Sequence, residues 1–299
     1  MTNLPLVILF GVISTIQTHL AKALERQGIE IFEQIKARLQ RSGEKIEGGI
    51  RKPVIYSIGF VLNHTVFIWA VLAQPYGPPA LFTSMFGLGL VFLMIYAANV
   101  MKEKITRMEA WGASAIVTGT LVIGVEAIFR PEADRFTMNL DGMLVALAVW
   151  SVAGLMFILA SRRSSNLNLV ALAFGAFAGG FGGLDPFLKG VGQGYGGDPR
   201  LIPQTFAGMA LFIASFVVGF LGFIITQFGF VRKARASVQI ASYNAAYVGL
   251  PVILQAILLP NYPMFPTTIG AIVLILLGIV LMQTFKPSNR QSSIVNRKS

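Results

Sequence analysis

Runs of about 20 mostly apolar residues recur along the whole chain, separated by short polar or turn-rich breaks. A stretch of that length, wound as an α-helix, matches the roughly 30 Å hydrocarbon core of a bilayer. Lipid offers no hydrogen bonds to a bare backbone, so spans of this kind fold as helices. The pattern predicts an all-α membrane protein with nine spans, over residues 4–21, 54–73, 79–101, 110–129, 140–160, 169–188, 204–230, 238–258 and 266–285.

The breaks carry the orientation. Nine spans place alternate loops on opposite sides, and twenty of the 24 Lys and Arg then fall on one side, four on the other. Cytoplasmic loops collect basic residues, which puts the N-terminus outside and the C-terminus in the cytoplasm. A cleaved signal peptide is the alternative reading of the first span, since Ala21-Lys22-Ala23 has a small-residue spacing. The uncharged Met1-Thr2-Asn3 and the basic loop that follows favour a retained helix. The one long loop, 24–47, mixes five Glu with five Lys or Arg around Ile29, Phe32, Ile35 and Leu39, and reads as an amphipathic cytoplasmic segment on the membrane surface or over the inner mouth, or simply as a solvated charged face. The polar tail 287–299 reads as disordered.

An internal repeat organises the spans. Phe10-Gly11 opens a helix ending near Lys22, and Phe174-Gly175 opens one ending near Lys189; three more spans follow each. The last span of each quartet carries spaced glycines, Gly112, Gly119 and Gly124 in one and Gly270 and Gly278 in the other. Five spans precede the second quartet, so the two enter the membrane from opposite sides, an inverted repeat as in many secondary transporters. The expected organisation is a first repeat over 1–129, a linker helix within 130–167, a second repeat over 168–286 and the tail. Gly175, Gly179 and Gly183, and Ser215 with Gly219, have the small-residue spacing of close helix packing.

Composition supports lipid as the solvent and narrows the chemistry. Of 299 residues 55% are hydrophobic and 12% charged, against about 25% charged in soluble domains. The net charge of +11 is accounted for by cytoplasmic loops and anionic lipid rather than nucleic acid. With no cysteine, thiolate sites and disulfides are excluded. No paired histidines at metal spacing, Walker loop or nucleophile beside a base is present, and Gly190-Val191-Gly192-Gln193-Gly194 follows no strand, so neither an enzyme nor a cofactor is expected.

Polar side chains inside spans are costly and are functional candidates by default. Glu126 and Asp185 lie near outer helix ends, Asp185 directly before Pro186 and after a glycine run. A broken helix there would free carbonyls to line an ion path; alternatively both carboxylates reach the headgroups, with Lys189 or Arg130 as partners. Asn63 and His64 fall near the middle of the second span, and Tyr243 and Asn244 within the eighth, where Asn244 is placed to face Asn63. Interhelical hydrogen bonding is the ordinary use of His64, and Gln17 and Gln227 extend the path or join helices. The outer side is acidic, which would concentrate a cation, and Asp185 and Glu126 are the candidate metal ligands.

Met101-Lys102-Glu103-Lys104-Ile105-Thr106 followed by Gly112 and Gly119, and then by Phe129-Arg130-Pro131-Glu132, resembles the drug/metabolite transporter (EamA-like) superfamily. Asn63 ahead of Ala73-Gln74-Pro75, with Lys189-Gly190-Val191-Gly192, is similar to its NIPA-type magnesium transporters. The resemblance implies a translocating bundle of two inverted halves and, for that branch, magnesium as substrate. The expected function is therefore movement of magnesium or another divalent cation across the plasma membrane, with Asp185, Glu126, Asn63, Asn244, His64 and Tyr243 at the substrate. Two alternatives stand beside it: a proton- or exchange-coupled permease for a small organic metabolite, and a non-transporting scaffold. The expected partners are the lipid bilayer, the ion or metabolite and a second copy of the chain in a homodimer.

Overall fold

A computed structural model of the chain describes residues 3–29, 51–100, 102, 105–129, 138–162, 166–259 and 262–283. Most of the segment 24–47 and all of the tail 287–299 lie outside the described residues. Those described form helices and turns, with no strand among them: α1 (Leu4–Gly28), α2 (Arg51–Thr65), α3 (Phe67–Ala73), α4 (Pro79–Ser84), α5 (Phe86–Asn99), α6 (Arg107–Phe129), α7 (Leu140–Arg162), α8 (Leu167–Gly194), α9 (Phe206–Val231), α10 (Ala236–Leu258) and α11 (Pro266–Gln283). A 3-10 turn over Gln74–Tyr76 follows α3.

The sequence writes the helix starts. Asn3 caps α1 by accepting from the Leu6 amide at 3.3 Å, and Thr205 caps α9 by accepting from the Gly208 amide at 3.1 Å. At α6 the Thr106 amide donates to Glu109 (2.8 Å) while the Glu109 amide donates to the Thr106 hydroxyl (3.1 Å), a reciprocal capping box. Glu109 also pairs with Arg235 at 2.8 Å, tying the start of α6 to the start of α10. Proline opens α4 and α11, where its missing N–H costs nothing.

Eight helical segments are long and apolar enough to cross a bilayer: Leu4–Gly28, Arg51–Tyr76, Pro79–Asn99, Arg107–Phe129, Leu140–Ser161, Leu167–Gly194, Phe206–Val231 and Ala236–Leu258. The ninth predicted span corresponds to a shorter apolar helix, Pro266–Met282. Two spans are not single rods. The second is interrupted between α2 and α3, and the third between α4 and α5.

The largest departure from the sequence reading is α1, which continues through Leu24–Gly28, residues assigned above to the cytoplasmic segment. Lys22 and Glu25 are therefore helical and buried, not loop residues. An apolar-run criterion ends a span at its first charges, whereas a helix whose charged face meets other helices continues. The same correction applies to Lys189, placed above in an outer loop but buried within α8. The expected break at Asp185-Pro186 is not formed either, because α8 runs through Pro186 to Gly194.

α8 is the centre of the bundle: 78% of its most apolar window is buried, against 11% for α7. It packs along α9 and α10, α6 packs along α11, and α1 lies against α2 and α5. The exposed face of α7, including Leu144, Val149 and Met156, is the surface that lipid would cover. Gly175, Gly179 and Gly183 set the α8–α10 approach. A Cβ at each would strike the carbonyl of Gln239, Tyr243 and Tyr247 in turn, so the glycine steps of four let two backbones touch. Gly112 and Gly278 do the same between α6 and α11, each facing the other's carbonyl. Gly270, by contrast, meets nothing and has no such role.

Candidate functional site

The contact of α8 with α10 turns Tyr243 and Tyr247 toward an open cavity of about 300 Å³ bordered by α1, α2, α3, α5, α8, α9 and α10. Its polar lining is Thr18, Asn63, His64, Asp185 and Lys189; its walls are aromatic, with Phe67, Phe86, Phe216, Phe220, Phe223 and the two tyrosines. Phe86 and Tyr247 stack with centroids 3.7 Å apart, and Tyr247 stacks on Tyr243 at 5.7 Å. The Tyr243 hydroxyl rests against Gly182, where any side chain would collide with it.

Two pairs of charges flank this aromatic column. On α8 the Lys189 ammonium donates to Asp185 one turn earlier and lies 4.1 Å from the centre of the Phe216 ring. Gly219 on α9 leaves the space that Asp185 occupies. Pro186 has no N–H to return to the carbonyl of Gly182, so the helix gives up one internal bond at the cavity wall.

The other pair is on α1. Glu25 accepts from Asn63 Nδ2 at 3.0 Å and from Gln227 Nε2 at 2.5 Å, and Tyr56 donates to Gln227 at 3.2 Å. One carboxylate thus joins α1, α2 and α9. Lys22, three residues before it, directs its ammonium onto the Tyr243 ring, 2.7 Å from the centroid. No hydrogen-bond acceptor lies within reach of that nitrogen among the described residues.

A third cluster joins α1, α5 and α10. His19 Nδ1 lies 2.7 Å from the Thr15 carbonyl, which makes it the protonated ring nitrogen. Nε2 then accepts from Asn244 Nδ2 at 2.8 Å, and the same amide donates to the Phe86 carbonyl at 3.3 Å. The cluster is buried and fixes α5 against α10.

Of the residues singled out by sequence, Asn63, His64, Asp185 and Tyr243 line the one cavity. Asn244 does not face Asn63; its partner is His19, while Asn63 serves Glu25. Glu126 is not in the cavity lining and accepts from Thr268 of α11 at 2.5 Å, so it does not join Asp185 in a ligand pair. Asp185 meets Lys189, and both line the cavity. Among the described residues His64 makes no interhelical hydrogen bond: its Nδ1 lies 2.8 Å from the Phe60 carbonyl of its own helix, and its ring packs on Phe60 and Phe223. Gln17 joins helices, donating to the Leu62 carbonyl and Thr65 and accepting from Trp69.

The sequence reading missed Lys22, Glu25 and Lys189 as site residues. One signal was present. Ser14, Thr18, Lys22 and Glu25 recur at helical spacing, a polar stripe on an otherwise apolar helix, and all four are buried. Among the described residues no three His, Asp or Glu side chains converge as a metal-ligand set.

Taken together, long apolar helices, an exposed apolar surface and polar and charged side chains buried among the helices define an integral, multi-pass α-helical membrane protein. Comparison with family models, curated proteins and solved structures finds no match to this chain.

Proposed function

We propose that the protein is a transporter that carries a small organic solute through the cavity between its helices. The observation that carries this reading is the wall of that cavity: seven aromatic side chains around one ammonium–carboxylate pair. Solute sites are mostly apolar, with a few placed polar groups that set orientation. Buried charge inside a span is retained where it serves a route or a substrate.

Magnesium, the substrate the family resemblance implies, keeps much of its water and asks for unencumbered oxygen donors. Asp185 already holds an ammonium, Asn63 turns its amide nitrogen to Glu25, and Glu126 is engaged elsewhere. The aromatic wall offers a hydrated cation little. The balance therefore moves to the metabolite permease.

We read the architecture as nine spans in two inverted quartets, N-terminus outside. Taking the buried Lys22 and Lys189 out of the loop count still leaves nineteen basic residues on one side against three on the other. The first helix of each quartet carries a charge pair inside the bundle, the buried Lys22 and Glu25 on α1 and the buried Lys189 with the partly buried Asp185 on α8, as an internal repeat would have it.

Uptake by proteoliposomes across a panel of carboxylates, amines, amino acids, neutral aromatics and magnesium tests the proposal. Saturable entry of an organic solute, reduced at least tenfold in Asp185→Asn, is expected. Magnesium entry with no organic flux, in protein that reconstitutes folded, would return the assignment to the cation.

A further inference from the structure

Lys22 stands apart from every other buried charge in the bundle. An ammonium has three N–H donors, and one held away from water without an acceptor costs several kcal/mol. Its nitrogen is buried, meets no acceptor among the described residues, and lies against the face of the Tyr243 ring. The neighbouring Glu25 makes no hydrogen bond to it, its two oxygens accepting instead from Asn63 and Gln227. A cation–π contact compensates part of the cost and leaves the donors unused.

Lys22 also sits beside the cavity. Thr18, one turn earlier on the same helix face, lines it; Asn63, which binds Glu25, lines it; and Tyr243, whose ring covers Lys22, lines it. The tyrosine ring thus meets the ammonium and also lines the space where a solute would lie.

Resting on the reading of the cavity as a solute site, we infer that Lys22 is an anion subsite that receives the single carboxylate of a solute with an apolar body. The aromatic walls take that body. Lys22 offers one positive charge, and Glu25 three residues on repels a second negative charge, so a monocarboxylate fits and a dianion such as a phosphate monoester does not. Tyr243 is the lid: a small rotation of its ring replaces the cation–π contact with a charge-assisted hydrogen bond, which is the stronger interaction.

The test uses the full chain in lipid nanodiscs and thermal unfolding with matched probes of rising size: acetate and acetamide, phenylacetate and phenylacetamide, indole-3-acetate and its amide, together with phenyl phosphate. At least one carboxylate is expected to raise the midpoint, with its amide at least tenfold weaker and phenyl phosphate without effect. Lys22→Met should abolish the preference and Lys22→Arg retain it. No carboxylate–amide difference in any pair, or a difference that survives in Lys22→Met, overturns the subsite. Should Lys22→Met fail to fold, acylation of the wild-type Lys22 amine read by peptide mass spectrometry replaces it. Protection by the preferred carboxylate and not by its amide supports the subsite, and equal labelling refutes it. Carboxylate binding that depends on Lys22 without any solute uptake would sink the transport reading and leave the subsite intact.

Discussion

The two buried charge pairs of this bundle solve the same electrostatic problem in opposite ways. On α8, Asp185 and Lys189 are one turn apart and satisfy each other directly. On α1, Lys22 and Glu25 are as close in sequence but turn to different partners, the carboxylate to two amides and the ammonium to an aromatic face. The first arrangement is closed, with cation and anion each the other's counterion. The second is open on its cationic side. A bundle that needed only to hold its helices together would close both. The difference marks α1 as the side of the cavity with unspent binding capacity, and Tyr243, which touches both regions, as the element between them.

The most severe way to break the comparison is to remove the element common to both pairs. Gly179→Val places a branched side chain against the backbone of Tyr243, where neither helix can yield without displacing the aromatic column. Overpacking against side chains costs about 1–3 kcal/mol, and here the obstacle is backbone. The expected outcome is loss of monodisperse protein on size exclusion. Well-folded protein with unchanged solute binding would mean that the close approach of α8 and α10 is not required.

Next in size is the closed pair. Lys189→Met leaves the partly buried Asp185 carboxylate without its counterion, and breaking a buried pair from one side costs up to about 3–5 kcal/mol. The double variant Lys189→Met with Asp185→Leu should regain most of that loss in unfolding midpoint while staying inactive in uptake. If Lys189→Met alone is as stable as wild type, the pair is not the closed unit described.

The Glu25 network comes third. Gln227→Leu removes one of its two amide donors, and a hydrogen bond to a charged group is worth about 1.5–3 kcal/mol. Interhelical bonds inside a bilayer average nearer 0.6 kcal/mol, which sets the lower bound. A fall in midpoint from Gln227→Leu that Glu25→Leu does not deepen further would place both residues in one network; additive losses would separate them.

The contrast between α1 and α8 also explains what could be read in advance. Apolar run length recovers the long helices because lipid thickness fixes it, and the glycine steps at 175, 179 and 183 identify a contact surface because only glycine permits that approach. Asp185 could be singled out as a charge inside a span. Lys22, Glu25 and Lys189 could not be found that way, since a run of apolar residues ends, by construction, at the first cluster of charges. Whether such a charge faces solvent, headgroup or protein depends on the helices beside it, and Tyr56, Asn63, Gln227 and Tyr243 come from three distant parts of the chain. Pairing is likewise invisible in one dimension: Asn63 and Asn244 look equivalent as polar residues within spans, yet one serves Glu25 and the other His19.

The smallest expected effect is the sharpest comparison of all. Lys22→Met removes a buried charge just as Lys189→Met does, from a helix that also borders the cavity. It deprives no oxygen of a hydrogen bond, and methionine has nearly the length of the lysine stem, so it can keep contact with the Tyr243 ring. The lost cation–π attraction, about 0.5–2 kcal/mol, is offset by release from an ammonium that was held away from water without acceptors. Stability should therefore stay within about 1 kcal/mol of wild type, read by the same unfolding midpoint that registers Lys189→Met as severely weakened. A loss as large as that of Lys189→Met would mean that Lys22 is bound into the fold as tightly as its counterpart, and the asymmetry between the two pairs would disappear.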